Sequence, residues 1–217
     1  MAEGIFVTGT GTEVGKTIVA AAIARTAAAA GRRVAVFKPA VTGLGEPAGP
    51  ADHELLRAAA GSAQSDEEVA PYRYGPAASP HLAAELAGEE IEPQRLLAAA
   101  RSAAEGVDVL VCEGVGGLLV PLSPGYLVRD LATALGYPVA VATPPGLGTI
   151  NHTLLTVEAA RAAGLEVVAV VLTPWPDRPS TLEESNRETI ERLGAVEVQT
   201  LAQLEVAALD SWPPLTL

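Results

Sequence analysis

Cross-linking chemistry is nearly absent from this chain, whose one cysteine is Cys112. A single cysteine cannot close an intrachain disulfide, which fits a reducing compartment. Basic residues are also scarce: 14 Lys and Arg stand against 26 Asp and Glu, a formal net charge of -12. A field of that sign repels polyanions, so nonspecific binding to nucleic acid or to an anionic membrane is not expected. The chain starts Met1-Ala2-Glu3, without the basic start and cleavage pattern of a signal peptide. The most alanine-rich stretch, Ile18 to Ala30, is interrupted by Arg25 and is too short to cross a bilayer. A soluble, cytoplasmic protein is expected. Any phosphate ligand must be held by a local arrangement of amides and lysines.

What the chain does contain is core-forming material. Hydrophobic residues make up 49% of 217 positions and charged residues 18%, enough for a sizeable core. Short β-branched runs alternate with longer alanine- and leucine-rich segments. Ile5-Phe6-Val7, Val34 to Phe37, Val107 to Cys112, Val139 to Ala142 and Val167 to Leu172 read as strands. Helices are expected from Lys16 to about Ala30, Asp52 to Ala60, Pro93 to Ala104, Asn151 to Ala163 and, after the capping box that starts at Ser180, to about Leu193. Alternation of this kind predicts an α/β fold in one domain, residues 1–217: a mostly parallel sheet with helices on both faces, of the P-loop NTPase type. Gly43 to Gly49 reads as a mobile loop and Glu67 to Pro80 as irregular.

The strongest chemical signal follows the first strand: Gly9-Thr10-Gly11-Thr12-Glu13-Val14-Gly15-Lys16-Thr17, with a helix next. Glycines let the backbone turn its amides around phosphate oxygens, and the helix N-terminus adds its dipole. Lys16 would reach the terminal phosphates and Thr17 would ligate Mg²⁺. Strict P-loop spacing would put the first glycine at Thr10, whereas Gly9 lies one residue earlier. A chance Gly-Lys-Thr on a glycine-rich turn is the competing reading, and the order strand, loop, helix argues against it.

Three more stretches fall where strands end, the place where open α/β sheets gather ligands. They are Lys38-Pro39-Ala40-Val41-Thr42-Gly43, the run from Val111 to Leu122 through Glu113-Gly114-Val115-Gly116-Gly117, and Gly146 to His152. Lys38 also reads as a surface lysine, and Asp52 alone reads as a helix N-cap. Glu113 ends a buried apolar strand, where an unpaired carboxylate is costly, so a metal partner is favoured. Cys112 reads as a small core residue, Asn151 also as an ordinary N-cap, and His53, His81 and His152 show no ligand spacing.

Over roughly residues 4 to 172 these motifs resemble the dethiobiotin synthetases. The long loop with five residues between its glycines is that family's variant. The Lys-Pro-x-x-Thr-Gly, Ser-Pro-His-x-Ala-Ala, Glu-Gly-x-Gly-Gly-Leu-Leu-Val-Pro-Leu and Gly-Thr-Ile-Asn-His-Thr-Leu-Leu-Thr stretches have counterparts in the same order. The resemblance implies an ATP-dependent ligase of biotin biosynthesis. It phosphorylates a carbamate made from CO₂ (or bicarbonate) and 7,8-diaminopelargonate, then closes a ureido ring with loss of phosphate. By position, it implies that Lys16 and Lys38 flank the terminal phosphate and the carbamate, with Thr12 and Glu13 near the transferred group. Thr17, Asp52 and Glu113 would hold Mg²⁺. Glu13, Val14, Gly15, Ile18, Gly114, Val115, Gly116, Thr173 and Pro174 would contact nucleotide. Thr42, Ser79, Pro80, Leu147, Gly148 and Asn151 would contact substrate, the last group from the neighbouring subunit of a homodimer.

Base selectivity is expected to depart from the family. There an asparagine after the strand equivalent to Val167 to Leu172 reads adenine, but here Thr173-Pro174-Trp175-Pro176-Asp177 follows and no asparagine occurs until Asn186. The family's later base-contact segment is not recognisable near Gln203 to Ala207. Use of other nucleoside triphosphates, CTP included, is therefore expected beside ATP, with the backbone of Thr173 to Trp175 as the alternative reader of adenine. Two other functions are compatible with a phosphate loop of this kind. A partitioning or metal-insertion ATPase carries a lysine at the start of the loop, where this chain has Val7-Thr8. A cobyrinate-type amide synthetase normally carries a glutaminase domain, for which there is no room.

Overall fold

The valine-rich runs form one sheet because each is apolar on both sides and needs cover above and below. A computed structural model describes residues 2–45 and 49–217. The elements are β1 (Glu3–Gly9), α1 (Lys16–Ala29), β2 (Val34–Phe37), α2 (Asp52–Ala60), α3 (Asp66–Val69), α4 (Pro80–Leu86), α5 (Pro93–Ala103), β3 (Val109–Gly117), β4 (Pro121–Ser123), β5 (Tyr126–Leu127), α6 (Val128–Leu135), β6 (Val139–Thr143), α7 (Thr149–Ala162), β7 (Val167–Trp175), α8 (Thr181–Gly194) and β8 (Glu197–Ala202), then a 3₁₀ turn, Val206–Ser211. Six strands make a parallel sheet in the order β2-β3-β1-β6-β7-β8. Strands β4 and β5 form a separate antiparallel pair.

Side-chain alternation builds two cores on opposite faces. Phe6, Leu110, Cys112, Val139 and Val141 join Leu96 of α5, Leu131 of α6, Val157 of α7 and Ile190 of α8. Their chain neighbours Ile5, Val7, Val109, Val111, Ala140 and Ala142 face the other way, onto Val19 to Ala24 of α1 and Leu55 and Leu56 of α2. The expected helices on both faces are present. Cys112 is a core residue whose burial pushes its thiol pKa far up, so it is held as the inert thiol.

Several boundaries differ from the sequence expectation. β3 runs on to Gly117 because its ladder with β1 resumes at Gly9 and Gly117 after an irregularity. α6 was not anticipated; its eight residues start where the Asp130 carboxylate accepts from the Leu127 amide at 2.8 Å. β8 escapes a periodicity reading because it is an edge strand with only Val198 and Leu201 buried. The 67–80 stretch is irregular only from Ala70 to Ser79, because Glu67 to Val69 belong to α3 and Pro80 opens α4. Backbone bonds tie it to the segment after β2, with Val41 N to Tyr72 O at 2.9 Å and Tyr74 N to Val41 O at 2.8 Å. Of the Gly43 to Gly49 loop, residues 46–48 lie outside the described residues.

The C-terminal segment docks on α1. Trp212 and Leu215 enter the second core, the Trp212 indole donates to Glu205 O at 2.9 Å, and Leu215 N donates to Thr26 Oγ1 at 2.8 Å. Removing a large buried indole leaves a cavity, so Trp212→Ala should lower stability by about 3 kcal/mol. Urea unfolding measures this, and a loss below about 1 kcal/mol would show that the segment is not part of the core.

Candidate functional site

The phosphate loop is built by two left-handed residues. Glu13 has φ 59° and Gly15 φ 87°. For Glu13 that conformation costs on the order of 1–3 kcal/mol and persists because the loop is held at both ends. At Gly15 a side chain is barred twice: by φ, and because a Cβ would lie 2.5 Å from Thr173 Cγ2 on β7. Val14 packs beneath the loop, where a Cβ on Gly9 would meet it at 2.6 Å. Lys16, buried at the first position of α1, donates its ammonium to Gly11 O at 2.7 Å. Burial holds its pKa below the ordinary lysine value, with Glu113 pulling partly the other way.

Beside the loop, four elements converge on one charged group. Lys38, just past β2, has its Nζ 2.6 Å from Glu113 Oε1 on β3 and 2.7 Å from Asp52 Oδ2 on α2. Thr17 Oγ1 of α1 lies 2.9 Å from Glu113 Oε1 and 3.0 Å from Asp52 Oδ1. Asp52 is the first residue of α2 after the cap Ala51, so the N-cap reading is replaced by this contact set. Burial works against the charge on Lys38, but Glu113 and Asp52 outweigh it and hold its pKa above the ordinary value. Burial also opposes charge on Asp52, and Lys38 outweighs it, keeping that pKa low. Glu113 is fully enclosed, and burial pushes its pKa up.

The oxygen set is suited to a hard cation. A threonine hydroxyl has one proton, so Thr17 can satisfy one carboxylate and not both. Glu113 Oε2 is buried without a hydrogen-bond partner. Two carboxylates, each within hydrogen-bonding distance of the same hydroxyl, match oxygen-ligand chemistry. Among the described residues no group of three or more His, Cys, Asp or Glu side chains clusters as a metal site.

These groups open into a cleft of about 1000 Å³. Thr12, Glu13, Gly15, Lys16, Thr17 and Ile18 line it from the loop and α1, and Lys38, Thr42 and Asp52 from the side of β2. Ser79, Pro80, Glu113, Val115 and Gly116 complete the expected set on its wall. Sequence reasoning missed Val41, Leu44, Ala77 and Val120, apolar wall residues whose place depends on the pairing of the irregular segments. Other expected residues lie elsewhere. Gly114 faces the first core, where a Cβ would meet Val128 and Phe6. Thr173 is buried behind Gly15, with Pro174 following it on β7. His81 lines a separate cavity of about 280 Å³ with Glu85 and Ser123.

The third stretch forms the start of α7. Gly148, at φ 91°, is its cap, and no side chain caps the first amides. Asn151 therefore lies in the first turn, not at the cap, and is exposed; Leu147 is 93% exposed. Asn186 is buried in α8, its amide donating to Pro145 O and Gly146 O at 2.8 and 3.1 Å.

Similarity to known proteins extends over most of the chain. A family model described as AAA domain matches residues 3–209. An ATP-dependent dethiobiotin synthetase BioD of Anaeromyxobacter dehalogenans (strain 2CP-1) is 44% identical over 214 residues, covering 98% of this chain and 91% of that protein. The Bacillus subtilis (strain 168) protein of that name is 35% identical over 196 residues, covering 90% and 85%. In fold, the chain is similar to the signal recognition particle 54 kDa protein of Aeropyrum pernix K1 solved with GDP. That match has a TM-score of 0.55 at 15% identity and covers 99% of this chain and 44% of that one.

The buried ion group generates a stability prediction. Lys38→Met leaves Glu113 enclosed without its ammonium partner and should destabilise the ligand-free protein by about 3–5 kcal/mol. Adding Glu113→Gln should recover most of that loss. Both are read from urea unfolding; a loss below about 1 kcal/mol in the single variant would mean the group is not coupled as its distances indicate.

Proposed function

The chain belongs to the ATP-dependent dethiobiotin synthetase family, and on that premise we propose that the cleft over its phosphate loop is where 7,8-diaminopelargonate, CO₂ and ATP react. The protein is a ligase that forms carbon–nitrogen bonds in biotin biosynthesis. The observation that carries the site reading is the pair of buried lysines, Lys16 and Lys38, beside the oxygen set of Thr17, Asp52 and Glu113. The cleft volume is at the upper end of small-molecule sites, about 300–1000 Å³, which suits two substrates side by side.

An amine of diaminopelargonate adds to CO₂ to give a carbamate. A carbamate oxygen takes the γ-phosphoryl group and releases ADP, then the second amine attacks the carbamoyl carbon and expels phosphate. Phosphoryl transfer of this kind rests on positioning and charge stabilisation. Lys16 leaves its loop carbonyl for the terminal phosphates. Lys38, held cationic by its carboxylates, faces the carbamate and the transferred group. Thr12 and Glu13 shape the loop around that group, while Gly15, Ile18, Val115 and Gly116 bound the nucleotide. Thr42, Ser79 and Pro80 form the substrate wall. Thr17, Asp52 and Glu113 fit Mg²⁺, which when bound supplies neutralisation of the phosphate charge.

The reading includes a homodimer, with Leu147, Gly148 and Asn151 completing the site of a second copy. The uncapped first amides of α7 suit a substrate carboxylate, and exposed Leu147 and Leu155 suit a covered surface. A cytoplasmic location fits the single buried cysteine, and no helix among the described residues is long and apolar enough to cross a membrane.

Incubation with diaminopelargonate, bicarbonate, Mg²⁺ and ATP should yield the cyclised product by mass, with ADP and phosphate. Lys16→Ala should cut turnover on the order of 10²-fold or more. That variant leaves the Lys38 group intact, so it also serves a mixing test with Asn151→Ala. A hybrid dimer has one whole site, and equal mixing with free exchange should restore about a quarter of wild-type activity. No recovery despite verified exchange would remove the shared-site assignment.

Base selectivity should also depart from strict adenine reading. Asn186 is occupied by loop carbonyls and Gln203 is exposed, so neither supplies an amide at the expected reader position. Loss of a bidentate amide pair removes on the order of 1–3 kcal/mol of discrimination, and the triphosphate contacts remain. CTP should therefore support measurable turnover beside ATP. The kcat/KM values for ATP, CTP, GTP and UTP test this, and a preference for ATP above about a hundredfold over all others would overturn it.

A further inference from the structure

Beneath the phosphate loop lies a set of hydroxyls that the reaction chemistry does not use. Thr143 at the end of β6, and Thr149 and Thr153 on α7, are all buried and form a closed ring. Thr143 Oγ1 is 2.9 Å from Thr149 Oγ1, Thr149 Oγ1 is 3.4 Å from Thr153 Oγ1, and Thr153 donates back to Thr143 at 3.1 Å. A fourth hydroxyl joins from outside: Thr10, the first residue after β1, has its Oγ1 3.0 Å from that of Thr143. The backbone runs parallel to this link, with Thr10 N donating to Ala142 O at 3.1 Å. From the other side, the Asn186 amide fixes the loop between β6 and α7. The start of the phosphate loop and the first turn of α7 are thus pinned to the same side chain, Thr143.

We propose that this threonine ring is a positioning device that couples the nucleotide loop to the start of α7, so that nucleotide and diaminopelargonate alter each other's binding. The proposal rests on the reading that the first turn of α7 holds the substrate carboxylate. Proton arithmetic gives the mechanism. Each hydroxyl has one proton and two acceptor positions. With Thr153 donating to Thr143, all four contacts are satisfied when Thr10 donates to Thr143, Thr143 to Thr149, and Thr149 to Thr153. An anion that accepts the Thr10 proton reverses the first link. Thr143 then donates to Thr10, Thr149 turns its proton to Thr143, and the 3.4 Å contact along α7 is the one left without a proton. Occupancy at the phosphate loop therefore reorients a hydroxyl in the first turn of α7. In a site closed to water such a choice is not masked by solvent exchange. Thr143, Thr149 and Thr153 act through other residues and touch no reacting atom; Thr10 is the link that meets the anion.

The test is calorimetric, on the full chain. The Kd of diaminopelargonate is measured with and without a non-hydrolysable ATP analogue plus Mg²⁺. In the wild type the two values should differ at least about fivefold, the lower end of ordinary couplings. Thr143→Val keeps the shape and removes the hydroxyl, and should shrink the ratio below about twofold while raising the KM for both substrates more than it lowers kcat. Thr143→Ser restores the hydroxyl and should restore the ratio. Thr10→Val severs the same link from its half-buried end and should also abolish coupling, so the outcome does not depend on Thr143→Val folding. Wild-type coupling retained in Thr10→Val and Thr143→Val, or absent in the wild type, overturns the proposal. Asn151→Ala separates the two layers. If it leaves the Kd of diaminopelargonate unchanged, the α7 reading fails and takes this inference with it; if it weakens binding while the valine variants keep full coupling, the ring alone is wrong.

Discussion

A carboxylate enclosed by protein persists only beside compensating charge, and Glu113 imposes that demand at the centre of the molecule. It ends the apolar run of β3, between β1 and β2, so the ammonium that answers it has to come from a neighbouring strand end. Lys38 does so from β2, and Asp52 then joins from α2 and Thr17 from α1. Four elements are locked in mutual position by one group of charges. The wall of the cleft follows from that lock: the helix carrying Lys16 and the strand carrying Val115 and Gly116 are held by the same contacts.

The second constraint is the backbone of the loop. Gly15 has to be left-handed and has to lie against Thr173, so the loop is seated on β7 as well as on its own strand. Strain at Glu13 is supported by this seating, in the way strained residues at functional sites are held by their surroundings. Together with the hydroxyl link from Thr10 to Thr143, the loop is tied to β6 and β7 on one side and to β3 through the ion group on the other.

What sequence reasoning could read was what depends on local pattern. Strands such as Val139 to Ala142 are continuous apolar runs, and α8 begins at the capping box of Ser180 and Glu183, so both were legible. Lys16, Thr17 and Glu113 were legible because glycine spacing and a charge on an apolar strand are themselves unusual. Asp52 was not legible from residues alone. A carboxylate in the first turn of a helix is ordinary, and its contact with Lys38 depends on how α2 packs beside β2. Val41 and Val120 lie in stretches already placed at strand ends, but their part in the cleft wall, like that of Leu44, depends on tertiary pairing. β8 failed a periodicity reading because an edge strand with two buried residues has too little pattern to detect.

A chain of net charge -12 that handles a polyphosphate has to separate its long-range field from its local one. Exposed carboxylates act through water, and beyond a screening length of about 8 Å at physiological salt their repulsion is small. On the proposed reading, Lys16 and Lys38 act where water is largely excluded, a few ångströms from the ligand, so two charges outweigh many distant ones. Polyanions that bridge several surface sites would meet the carboxylates and not the cleft. On that reading, selectivity for a small phosphate ligand would be set by burial of the lysines and not by their number. That burial is possible for Lys38 because Glu113 and Asp52 hold it charged, while Lys16 is supported by a loop carbonyl that a phosphate oxygen can replace.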